Sequence, residues 1–138
     1  VDIGSLLDSG VITAEALSRF LLPDDEKAFG IDLTLGAIGC AMSHMGVWED
    51  ILRRHEAHGG SDDAAYLVIE DDCRFLPGFS ESAFTERIAE VPRDWQLVFL
   101  GGIDALGTQR LLQISPGVRR AYHGSRETTA YAITAVGA

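Results

Sequence analysis

Apolar residues recur at two different periods along the chain, and the change of period marks out the elements. From about Leu35 to His55 the residues Ile38, Ala41, Met45, Trp48 and Leu52 return every three or four positions, which predicts one apolar face of an amphipathic helix. Thr34 stands where an N-cap is needed, Arg53, Arg54 and His55 suit the negative end of the helix dipole, and Gly59-Gly60 supplies the stop. A shorter helix is predicted from Thr13 to about Leu22, gathering Ala16, Leu17, Phe20 and Leu21 on one side before Pro23-Asp24-Asp25 breaks it. Another amphipathic helix is expected from about Ser80 to Glu90.

Ala65 to Ile69 and Gln96 to Leu100 are short continuous apolar runs of the kind buried strands carry. Towards the end, Leu111 to Ile114, Val118 to Tyr122 and Thr128 to Thr134 have β-branched or aromatic character and are separated by Pro116-Gly117 and by the polar Gly124–Glu127 segment. Strand–helix–strand alternation predicts an α/β fold with a mostly parallel sheet flanked by helices, and the tail reads as a small mixed edge of that sheet. No repeat, low-complexity tract or long linker divides residues 1–138, so a single domain is expected.

The candidate chemistry sits where the first strand stops. Tyr66-Leu67-Val68-Ile69 runs directly into Glu70-Asp71-Asp72, three successive carboxylates that repel one another unless a cation lies among them. Mg²⁺ and Mn²⁺ favour such oxygens, often shared with the phosphates of a nucleotide. Alternate residues of an extended segment share a side, which pairs Glu70 with Asp72 as metal ligands and turns Asp71 away towards a sugar or ribose hydroxyl. The plainer alternative is an acidic strand end that meets solvent. In open α/β sheets ligands gather beyond the carboxyl ends of strands, where the Gly101-Gly102-Ile103-Asp104 loop is also expected.

Charge narrows the partners. The chain of 138 residues has 11 basic and 21 acidic side chains, a formal charge of -10, which opposes nucleic-acid binding. No apolar run approaches the roughly 20 residues that span a bilayer, and the start lacks a basic and apolar leader. Cys40 and Cys73 lack the short spacing of a zinc or redox pair and read as free thiols of a reducing cytoplasm. The sequence opens on Val1 rather than Met and stops after an apolar run, so it is expected to be a piece of something longer.

Several ordered segments together resemble glycosyltransferase family 25. They are Leu33-Thr34-Leu35-Gly36-Ala37-Ile38-Gly39-Cys40-Ala41-Met42-Ser43-His44, Val47-Trp48-Glu49, Leu67-Val68-Ile69-Glu70-Asp71-Asp72 with Arg74-Phe75, Trp95 to Gly101, and Thr129-Ala130-Tyr131-Ala132-Ile133-Thr134. The resemblance covers about Ile31 to Ala138. It implies a metal-dependent hexosyltransferase with a GT-A-like, Rossmann-like sheet, incomplete here at both ends, that moves a sugar from a nucleotide-sugar donor. UDP-galactose is the expected donor and a saccharide or glycolipid the expected acceptor, as in lipopolysaccharide or other glycan synthesis.

On this likeness Glu70 and Asp72 hold Mn²⁺ or Mg²⁺, and Asp71, Gly36, Ser43, His44 and Tyr131 contact substrate. Glycines at a helix start allow a phosphate to approach free N–H groups. Asp104 is the candidate general base on the acceptor hydroxyl, with His123 as its alternative. The implied setting is cytoplasmic, at the inner face of a membrane for a glycolipid acceptor, and an oligomer is one way to complete the sheet.

Some positions carry a plainer explanation as well. His44 suits a hydrogen bond to a neighbouring carbonyl as readily as a substrate contact. Ser43 and His44 diverge by about a quarter turn on a helix and form no catalytic pair. Met42, Met45 and Trp48 read as core, and His55 and His58 as a basic helix end.

Two departures from the family pattern are visible. Ala37 stands where the family has a Glu that closes a Thr-x-x-Glu capping box, and nothing before Ile31 matches the nucleotide-receiving Asn-Leu-Asp-type strand. They motivate a second expectation, a non-catalytic relative that keeps the sheet as a binding or assembly module. A signalling receiver domain also carries a strand ending in paired acids. Here, however, about half the chain precedes that strand, and the next one ends in Leu100-Gly101 instead of a phosphorylatable aspartate.

Overall fold

The computed structural model describes residues 2–23, 26, 34–61, 63–101, 112–120 and 128–138. These fall into two compact units, Val1–Asp50 and Ile51–Ala138, each described by itself.

The N-terminal unit begins with α1, Ile3–Asp8, which carried no periodic signal in the sequence. Its start is fixed by Asp2, whose carboxylate accepts hydrogen bonds from the N–H groups of Gly4 and Ser5 at 3.2 and 3.3 Å. Helix α2, Ala14–Phe20, starts as expected at Thr13, whose hydroxyl oxygen accepts from the Ala16 N–H at 3.1 Å. The long helix α3, Leu35–Ala57, opens on Thr34, whose Oγ1 accepts from the Ala37 N–H at 3.0 Å. Ala37 has no carboxylate with which to return the bond, so the box stays half closed.

The covered positions of α3 follow the predicted face in part. Ile38 and Ile51 are buried and Trp48 is half-buried, whereas Met42, Met45 and Leu52 are exposed. Apolar residues occur on more than one side of this helix, so spacing alone did not decide which line of them would be covered. The C-terminus is a two-glycine stop: the Gly60 N–H donates to the His55 carbonyl at 2.9 Å and the Gly59 N–H to the Glu56 carbonyl at 3.3 Å. Gly59 sits at φ 59°, and a Cβ on Gly60 would lie 2.2 Å from the His55 ring. That ring is placed by a 3.1 Å hydrogen bond between His55 Nδ1 and the Tyr66 hydroxyl.

In the C-terminal unit β1, Ala65–Ile69, is followed by α4, Glu81–Ala89, capped by Ser80, and by β2, Leu97–Phe99. Strands β3, Leu112–Ser115, and β4, Val118–Arg120, form a hairpin, and β5 spans Ala130–Thr134. The sheet order is β1-β5-β2, and both pairings are antiparallel, Leu67 opposite Ala132 and Val98 opposite the same Ala132.

The expected mostly parallel sheet is therefore corrected, and so is the placement of the tail at an edge: β5 is the central strand. Neighbours in sequence alternate with helices, but a strand distant in sequence has inserted between them. Its insertion leaves β1 and β2 running in the same direction, because each opposes β5.

The core follows from that position. Tyr131 and Ile133 on β5 are each 1% exposed, and Tyr131 packs its ring 6.2 Å from that of Phe99. Strand β1 is covered on one face only. Tyr66 and Val68 are half-buried, but Leu67 and Ile69 remain 53% and 44% exposed, so its apolar run does not mark a strand buried on both faces.

The hairpin is tied to α4 by Glu90, which accepts from Ser115 Oγ at 2.8 Å and the Gly117 N–H at 2.7 Å and pairs with Arg87 at 2.8 Å. The Ser115 hydroxyl first, then the Gly117 N–H, hold the Glu90 carboxyl below its ordinary value, with Arg87 adding to them.

Two predictions test this packing. Ile133→Ala is expected to lower unfolding stability by about 2–5 kcal/mol in urea titrations, while Leu67→Ala changes it by less than about 1 kcal/mol. The lowered Glu90 pKa contributes stability that is present above the unfolded value of 4.5 and lost as pH falls through the folded one. A Glu90→Gln protein is expected to be less stable near neutral pH and to show a shallower loss of stability below that value.

Candidate functional site

The three acids do not continue the strand. The Cys73 N–H donates to the Glu70 carbonyl at 3.1 Å, which closes a turn with Asp71 and Asp72 at its two corners. The expected pairing of Glu70 with Asp72 on one side of an extended segment is corrected by this geometry, since alternation ends at Glu70. Asp71 and Asp72 are both exposed at the turn, and Glu70 is half-buried.

Glu70 belongs to the sheet. Its N–H donates to the Thr129 carbonyl at 2.9 Å, extending the β1–β5 ladder by one residue, and its Oε1 accepts from Thr128 Oγ1 at 2.5 Å. A hydroxyl donating to an ionised carboxylate makes a short, strong bond, so this contact pins the start of β5 to the acidic turn. No role for Thr128 is readable from sequence alone. Its signal was only its position just ahead of an apolar run.

The end of β2 lies at the same end of the sheet. The Leu100 N–H donates to the Ala130 carbonyl at 2.9 Å, one residue along β5 from the carbonyl that receives Glu70. Because β1 and β2 run the same way, the acidic turn and the Leu100-Gly101 exit both leave from their carboxyl ends. This is the strand-end arrangement expected of a ligand site, reached through an antiparallel intermediary. Asp104, Gly102 and His123 lie outside the described residues.

The remaining predicted site residues fall elsewhere. Tyr131 is enclosed in the core beside Phe99, not on the exposed acidic turn. In the N-terminal unit, Gly36 is exposed, and a Cβ there would meet nothing closer than Thr34 Oγ1 at 3.7 Å, so packing does not require glycine. Ser43 donates its hydroxyl to the Gly39 carbonyl at 3.0 Å, a bond within the helix, and His44 is half-buried. His58 bonds back to the Arg54 carbonyl at 2.8 Å through Nδ1, and with His55 held by Tyr66 both histidines act at the helix end, as expected. Neither Cys40 nor Cys73 is in a disulfide.

Past the turn, Phe75, Leu76 and Phe79 are exposed, with the Phe75 and Phe79 rings 4.6 Å apart. A cleft of the C-terminal unit runs between α4, β2 and the hairpin and includes none of Glu70, Asp71 and Asp72. An exposed turn suits a polar, metal-bridged ligand better than an enclosed apolar pocket does.

The model of glycosyltransferase family 25 (LPS biosynthesis protein) matches residues 15–101. The chain belongs to that family. Its match spans α2 to the end of β2 and so includes the acidic turn.

This family 25 chain is 34% identical over 106 residues to the inactive glycosyltransferase 25 family member 3 of Homo sapiens, covering 71% of this chain and 16% of that protein. Procollagen galactosyltransferase 2 of Homo sapiens is 35% identical over 90 residues, 63% of this chain and 13% of that protein. The procollagen lysyl hydroxylase and glycosyltransferase of Acanthamoeba polyphaga mimivirus is 35% identical over 89 residues, 62% of this chain and 10% of that protein. The chain thus spans about one sixth or less of the length of these relatives. No solved structure matches it.

Removing the Thr128 hydroxyl tests how far it holds the turn. Thr128→Val is expected to destabilise the C-terminal unit by about 1.5–3 kcal/mol, the range for a hydrogen bond to a charged group, measured by denaturant unfolding. Hydrogen exchange at the Glu70 amide should speed up in the same variant. An unchanged exchange rate there would show that Thr128 does not hold the turn.

Proposed function

We propose that this chain is the donor-binding part of a hexosyltransferase that moves galactose from a uridine diphosphate donor to a saccharide or glycolipid acceptor. The observation that carries the reading is the exposed Asp71-Asp72 turn at the shared carboxyl end of two strands that run together. Membership of family 25 supports a transferase, and the name of the galactosyltransferase relative supports the sugar.

The donor set suits a hard cation. Two adjacent carboxylates on an exposed turn offer oxygen ligands while leaving room for phosphate oxygens, the usual environment of Mg²⁺ and of Mn²⁺ in nucleotide sites. In this reading Asp72 and Asp71 hold the ion. Glu70, whose carboxylate already accepts from Thr128, anchors the turn. The bound ion supplies neutralisation of the charge that develops on the departing nucleoside diphosphate.

The chain's own part is to keep that turn in register. The Glu70–Thr129 ladder bond and the Thr128 hydroxyl fix it at the strand end, so the carboxylates need little reorganisation as charge builds. Asp104, four residues after Leu100, is proposed as the base that takes the acceptor hydroxyl proton, and Gly36, Ser43 and His44 are carried as substrate contacts by the family likeness alone. Among the described residues no helix is long and apolar enough to cross a membrane.

A second reading has its own support. Ala37 leaves the cap of α3 unreciprocated, and several of the similar proteins are named as inactive or probably inactive. In that case the chain is a binding or assembly module.

Calorimetry with uridine diphosphate separates the two readings. The transferase reading predicts binding that requires Mn²⁺ or Mg²⁺ and falls at least about tenfold in Asp72→Asn, a loss of ~1.4 kcal/mol or more. Where transfer is measurable, Asp104→Asn should keep nucleotide affinity while losing rate. Nucleotide binding that is equally tight without metal, or absent altogether, contradicts the proposal and leaves the module.

A further inference from the structure

The C-terminal unit contains a cleft of about 810 Å³ between α4, β2 and the β3–β4 hairpin, and the proposed transfer makes no use of it. We propose that this cleft binds an extended acidic peptide, which adds as a strand to the open edge of β2 and sets a carboxylate against Arg119 of β4.

The register of β2 leaves backbone groups open. Thr134 N–H donates to the Gln96 carbonyl at 3.0 Å and Leu100 N–H to the Ala130 carbonyl at 2.9 Å. Alternation along an antiparallel ladder then gives Val98 the bonded position opposite Ala132 and turns the N–H and C=O of Leu97 and Phe99 away from β5. Among the described residues no strand pairs with that side of β2. Such an edge is a template for one more extended backbone, and short peptides commonly use it.

The cleft walls then set the side-chain preference. Ile88, Val98, Ile114 and Val118 offer apolar contacts for every second residue of an added strand. Its charged lining comprises Arg87, Arg119 and Arg120 against Asp94, a local basic excess in a chain whose formal charge is -10. Arg87 is held by Glu90. Arg119 is exposed and has no ion pair among the described residues.

A strand that alternates apolar and acidic residues satisfies the backbone, the apolar wall and the Arg119 guanidinium together. A second copy of β2 satisfies only the first two, since Gln96 to Leu100 carry no charge and the partner's arginines would oppose these.

The test uses the whole 138-residue chain and two blocked hexapeptides, Val-Glu repeated three times and Val-Lys repeated three times. The glutamate peptide is expected to bind, to weaken with added salt, and to slow hydrogen exchange at the Leu97 and Phe99 amides. Arg119→Glu should cut its affinity by about tenfold or more, the scale of a reversed charge at an interface. Equal binding of the lysine peptide, protection that misses Leu97 and Phe99, or unchanged affinity in Arg119→Glu would overturn the proposal. So would full displacement of the peptide by inorganic pyrophosphate, which would make the arginines a phosphate site, or β2-mediated self-association in sedimentation without peptide.

Discussion

Ala130–Thr134 hydrogen-bonds along both of its edges, and that double pairing governs the C-terminal unit. A strand that opposes two neighbours forces those neighbours to run together, so β1 and β2 discharge their chains at one end of the sheet although they are not paired with each other. The same strand contributes the two most enclosed side chains, Tyr131 and Ile133, so burial and direction are fixed by one element. The residue just ahead of it, Thr128, reaches the Glu70 carboxylate, and the acidic turn is thereby held to the core strand rather than left on a free loop.

Much of this was legible along the chain, but pairing was not. The limits of α3, the capping role of Thr34 and the glycine stop were readable because they depend on residues within a few positions of one another. The strands at Ala65, Gln96 and Ala130 were each visible as apolar runs for the same reason. Which strand lies beside which is a long-range choice, and alternation with helices pointed to parallel neighbours when the tail strand had the better claim to the centre.

The site was legible in composition and misread in geometry. Three carboxylates after an apolar run mark the end of β1, yet the extended alternation that joins Glu70 to Asp72 fails at the Cys73–Glu70 turn bond. Tyr131 was picked out by likeness to a family, and the fold encloses it because it occupies the central strand. A lone threonine before a strand has no local signature, so the part Thr128 plays shows only in the fold. On α3, Ile38 and Trp48 of the expected face are covered, but Ile51 rather than Leu52 is buried, because both satisfy a helical period.

Membership of family 25 fixes a class of protein that includes both a named galactosyltransferase and a named inactive member among the relatives of this chain. In the proposed reading, what separates those outcomes is whether the turn at Asp71 and Asp72 takes up a cation with a diphosphate. Paramagnetic broadening by Mn²⁺ in the presence of uridine diphosphate, read on backbone amide signals, asks this directly. The account predicts broadening centred on Glu70 to Cys73 that reaches Thr129 and Leu100 and spares the Leu112–Arg120 hairpin. Broadening centred on His55 and His58, or none at the acidic turn, would contradict it.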